Sequence, residues 1–180
     1  MLYKDETKLI EAEDHLLNPN NYSYDEAAHG KGYALGFNDR GQGICFNYYA
    51  FEAGTRKVSI TYSTGVANSK MALTLEGTHV TDVIFTENTG WFGDTKKSAV
   101  VDVNVSFNEG WNHIALLKDG AASDDPQYGG YVQLDYLTIQ GSDKFFSTST
   151  HANFFNESYR FEAEAAQWHW SNSNMRPSLW

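Results

Sequence analysis

Two glutamate pairs, far apart in the chain, are the residues best placed to do chemistry: LIEAEDH at residues 9–15 and RFEAEAA at residues 160–166. Each sets two carboxylates two positions apart among apolar neighbours. In a strand, residues i and i+2 share a face, so Glu11 and Glu13 are expected to project together. Two like charges on one face repel unless a cation or a proton offsets them. Asp135, in YVQLDYLTI, is a further informative carboxylate, because a charge inside an apolar strand is costly unless it is paired or metal-bound. Pairing with lysine or arginine at the surface is the competing reading of all three acids.

Trp91 lies between Asn88-Thr89-Gly90 and Phe92-Gly93-Asp94, a turn-rich setting in which an indole is more easily explained by a ligand than by a core. Sugars present apolar C–H faces and outward hydroxyls, so their sites combine an aromatic platform with polar groups. Trp111, in NEGWNHIALL, begins a strand and is expected to pack at the edge of the fold. The six histidines show no HxH or HExxH spacing, so zinc is not expected. Cys45 is the only cysteine, which precludes an intramolecular disulfide. Within ICFNYYAF it reads as a small buried hydrophobe rather than a nucleophile.

The elements that must position these residues are strands. Val58, Ile60 and Tyr62 alternate with polar residues in RKVSITYST, and similar runs recur in GICFNYYAF, MALTLEG, TDVIFTE, SAVVDVNVSF, NHIALLK and YVQLDYLTIQG, separated by turn residues. About nine short strands with no helical period predict an all-β fold, an antiparallel β-sandwich or jelly roll over residues 9–140. Fifteen glycines against three prolines, with 15% aromatic residues, suit such a turn-rich β protein. The formal charge of −10 argues against nucleic acid and anionic lipid as partners. No apolar run approaches membrane-spanning length, so membrane insertion is not expected.

The ordered set EAE, HGKGYALGFND, FEAGTRKVSITYS, NTGWFGDT, NEGWNHIALL and YVQLDYLTI resembles carbohydrate-binding modules of families thirty-five and six. That resemblance implies a jelly-roll sandwich, noncatalytic in itself, with a structural calcium and a sugar site in the loops at one end. The calcium would be held by Glu11, Glu13 and Asp135, joined by carbonyls of the glycine-containing loop at residues 28–32, where Lys31 is the backbone ligand. The sugar site would use Trp91, an aromatic from the glycine-containing loop (Phe37, or alternatively Tyr33), and Gln133. The resembling modules usually carry asparagine at the last position, and the longer glutamine changes the reach.

Repetition of the EAE pattern about 150 residues on suggests a module boundary. The expected organisation is a carbohydrate-binding module at 1–142, a Ser/Thr/Asn-rich linker at 143–158, and at 159–180 the first strand of a truncated second module. The leading functional expectation is an accessory domain of a secreted or cell-surface bacterial enzyme acting on glycosides. Its partners would be an oligo- or polysaccharide and the catalytic domain of that larger polypeptide, with any export signal upstream. The alternatives are a small β-sandwich glycosidase or lyase using paired carboxylates, and a protein-binding adhesion module anchored by Trp91.

Overall fold

The computed structural model describes residues 2–118, 131–142 and 144–147. They fall into two units: Glu6–Ser142, and Met1–Asp5 with Asp143–Trp180. In chain order the strands are β1 (Leu2–Lys4), β2 (Lys8–Glu11), β3 (Tyr22–Tyr24), β4 (Gly32–Ala34), β5 (Gly43–Ala50), β6 (Gly54–Thr64), β7 (Ser69–Leu75), β8 (Thr78–Phe85), β9 (Ala99–Phe107), β10 (Gly110–Leu117), β11 (Val132–Ile139) and β12 (Phe145–Ser147). The single described α-helix is one turn, α1 (Phe92–Thr95).

Within Glu6–Ser142 the strands form two antiparallel sheets, the β-sandwich expected from alternation. One sheet runs β3-β4-β11-β6-β9, with β2 also pairing β11; the other runs β5-β10-β7-β8. Alternation decides which face is buried. From β5, Ile44, Phe46, Tyr48 and Ala50 enter the core; they meet Val58, Ile60 and Tyr62 of β6 and Val132, Leu134, Leu137 and Ile139 of β11. Strict alternation would put Leu134 and Leu137 on opposite faces. A register shift against β6 between these two leucines turns both inward, and the extra residue is accommodated at Asp135-Tyr136. The outer strands carry charge: Asp102 of β9 lies 3.3 Å from Lys57, and Asp82 of β8 lies 3.4 Å from Lys70.

Sequence patterning misses β3 and β4, which lie outside every run read as a strand. Three-residue strands are too short to show a period, and β4 is fixed by pairing Leu134 with Ala34 rather than by its own pattern. Trp111 packs as expected, its ring 5.2 Å from that of Tyr49.

In the other unit, β1 and β12 pair antiparallel, with Leu2 opposite Ser147. Residues 145–147, expected to lie in a linker, therefore form a strand. Residues 143 and 148–158 of that linker, and the expected second-module strand at 159–180, lie outside the described residues.

Candidate functional site

The acidic cluster forms where β2 gives way to a turn. β2 ends at Glu11, Ala12 adopts αR angles (φ −68, ψ −36), and Glu13 opens a short 3-10 helix, Glu13–His15. The expectation that both glutamates share one strand face is therefore corrected. Ala12, fully buried, still donates its N–H to the Asp135 carbonyl at 2.9 Å, and its αR angles then turn the chain out of the strand. The turn still brings the carboxylates together. A Cβ built on Gly30 would sit 3.0 Å from Glu13 Oε1 and 3.2 Å from Glu11 Oε1, and one on Gly32 would sit 2.8 Å from Glu13 Oε1. Gly30 also takes a φ of 60, a left-handed conformation suited to glycine. The loop backbone thus packs directly on both acids.

Asp135 joins them from β11, 8% exposed, with its Oδ1 accepting the His29 N–H at 3.1 Å. Burial, reinforced by the Glu11 charge, pushes its pKa up to about 6 against the donated His29 hydrogen bond. The Glu13 carboxyl is also raised, first by burial and then by Glu11 and other neighbouring acids. One carboxylate oxygen of each glutamate, Oε2, is buried without a hydrogen-bond partner. The His29 Nδ1 meets Glu11 Oε1, a contact invisible to sequence spacing because it joins a strand end to a loop. The Lys31 carbonyl accepts the Asp25 N–H at 3.1 Å, leaving its second lone pair.

The orphaned Oε2 atoms of both glutamates and the raised Glu13 and Asp135 carboxyls would suit a hard cation, which takes carboxylate and backbone carbonyl oxygens. Among the described residues, no three or more His, Cys, Asp or Glu side chains stand ready-made to hold a metal ion. A cation here would take Glu11 from His29 and draw on backbone oxygen.

Trp91 belongs to a separate, tightly tied turn. Gly90 bridges Thr64, Thr64 N donates to Thr89 Oγ1 at 3.1 Å, and Asn88 Nδ2 donates to the Gly65 carbonyl at 2.9 Å. α1 follows at once. Its first N–H, of Phe92, donates to Gln133 Oε1 at 2.7 Å, and the Phe92 ring packs 5.3 Å from that of Tyr33. Lys96, just past α1, pairs with Asp25, and this pairing holds the Asp25 carboxyl below its ordinary range.

The expected sugar-site residues are only partly brought together. Trp91 is 37% exposed, whereas Gln133 and Tyr33 are buried at 8% and 6%. These two support the turn from beneath rather than face solvent. Phe37 is fully buried in the main core, which corrects its reading as a surface platform. Gly36 turns the chain inward with φ 71 while Asn21 Nδ2 grips its carbonyl at 2.6 Å, so the ring points to the sandwich interior. The aromatic that does reach Trp91 is Tyr131: it is 40% exposed, with ring centroids 6.1 Å apart and planes tilted by 39°. Its only sequence signal is its place just before β11.

The family model for carbohydrate binding module family 35 matches residues 8–142. The chain belongs to that family. Solved family 35 modules share its fold: one from Cellvibrio japonicus, at 18% identity, has a TM-score of 0.61 and covers 79% of this chain and 97% of that one. One from Clostridium thermocellum, at 22% identity, also reaches 0.61 and covers 76% and 99%. In sequence the family 35 module is 32% identical over 94 residues to an isomaltosyltransferase of Sporosarcina globispora, covering 52% of this chain but 8% of that protein.

Proposed function

We propose that this family 35 module binds an oligo- or polysaccharide at the loop surface around Trp91 and tethers a catalytic domain of a secreted bacterial enzyme to its glycan. The observation that carries the reading is the half-open Trp91 indole, held on a hydrogen-bonded turn beside an exposed Tyr131. An aromatic ring rigidly presented to solvent suits the apolar face of a pyranose. Tethering raises local concentration without contributing a catalytic group. The isomaltosyltransferase relative supports a glucan containing isomaltosyl units as the first class to examine.

A structural calcium is part of the same proposal. Glu11, Glu13 and Asp135 would hold it with carbonyl oxygen from the 28–32 loop, Lys31 included. The ion would neutralise three acids that have little room to separate.

Titration calorimetry against isomaltooligosaccharides, xylans, galactans and uronic acids, with calcium and then with chelator, tests both parts. Trp91→Ala should weaken binding of the best ligand by about 1–3 kcal/mol while leaving melting unchanged. Unaltered affinity in that variant would move the site elsewhere.

A further inference from the structure

Gly65 has an unusual relation to Trp91. A Cβ built on it would lie 2.7 Å from Trp91 Cε2, 2.8 Å from Cζ2 and 3.0 Å from Nε1. Such separations are well inside van der Waals contact, so one side of the indole rests on the Gly65 backbone. Gly65 is not among the residues with positive φ, and its backbone angles therefore do not require glycine. The ring is what requires it. The Gly65 carbonyl is also fixed by Asn88 Nδ2 at 2.9 Å, so the seat cannot drift from the turn it supports. That side is covered while 37% of the residue stays exposed, and the Tyr131 ring lies beside the indole with centroids 6.1 Å apart and planes tilted by 39°.

The geometry points to a two-ring corner, with Tyr131 as a second ligand-contacting aromatic and Gly65 as the positioning residue that sets the angle of Trp91 for an isomaltosyl-type glucan. This rests on the loop surface being the glycan site. Neither residue belongs to the set the sequence suggests. The second ring comes from the residue just before β11 rather than from the glycine-containing loop, whose candidates Phe37 and Tyr33 are buried. A ligand then stacks on Trp91 from one side only and meets the Tyr131 ring as it does so. Adding a methyl at Gly65 displaces the end of a side chain rather than backbone, so the fold survives while the platform tilts.

The test is calorimetric titration of isomaltotriose into the full chain and four variants, with the Trp91 indole N–H assigned by its loss from the Trp91→Ala NMR spectrum. Tyr131→Ala and Gly65→Ala should each weaken binding by about fivefold or more, and Tyr131→Phe by less than about twofold, because the ring rather than the hydroxyl makes the contact. Gly65→Ala should also shift the Trp91 indole resonance with melting unchanged. If Trp91→Ala weakens binding but Tyr131→Ala and Gly65→Ala both retain wild-type affinity, the corner is overturned while the glycan site stands. If Trp91→Ala binds as wild type does, the site itself falls and the corner with it. If the wild-type chain does not take up isomaltotriose, the ligand class is wrong and the inference fails with it.

Discussion

Asp135 is the residue at which fold and site meet, and its proton is the most direct handle on the acidic cluster. Burial raises its pKa from 3.8 to about 6. In calcium-free protein the folded state therefore holds this proton more tightly than the unfolded chain does. The resulting stability is full below about pH 4 and is lost as pH rises through about 6, a change on the order of 2–3 kcal/mol. His15, whose burial lowers its pKa, acts oppositely in the same range, so the difference between wild type and Asp135→Asn isolates the aspartate. Without calcium, the melting advantage of Asp135→Asn should grow between pH 5 and 7.5; with calcium, wild type should be the more stable at pH 7.5. A flat difference at both pH values without calcium would remove the strain argument. Sequence reveals Asp135 because a charge in an apolar strand needs a partner, and it reveals the glutamates for a reason only half correct. Their spacing suggested a shared strand face, whereas it is a turn at Ala12 that gathers them.

At the scale of elements, the Trp91 turn and the glycine-containing loop share a small second core. Ala28 and Tyr33 pack with Phe92, Gln133 receives the Phe92 N–H, and Lys96 reaches Asp25. Phe92→Ala should lower stability by about 3 kcal/mol through the cavity it leaves. It should also weaken glycan binding, although Phe92 is buried at 4% exposure, because the turn that carries Trp91 loses its footing. Denaturant unfolding and glycan titration on the same variant check both effects. The long strands were legible because alternation over eight or more residues is hard to mistake. The three-residue β3 and β4 were not, since β4 is placed by its pairing with β11 and β3 by its pairing with β4 rather than by local pattern. Phe37 misled for another reason: its place in the site came from the resemblance alone, and only the inward turn at Gly36 reveals that it belongs to the core.

At the scale of the molecule, Glu6–Ser142 carries both sheets, the core, the acidic cluster and Trp91. A protein limited to 6–142 should therefore fold cooperatively and keep the glycan affinity of the full chain. Loss of a sharp thermal transition in that fragment would mean that the flanking segments complete the fold. The order of strands has another consequence. β8 ends one sheet and β9 the other, and each leaves a row of backbone groups open to a foreign strand. Asp82 and Asp102 stand in the middle of those strands, and the strands able to add to them include those of a second copy of the module. Such self-pairing is discouraged by charge, and at β8 and β9 the outermost strand holds an aspartate matched to a lysine on its inner neighbour, Asp82 with Lys70 and Asp102 with Lys57.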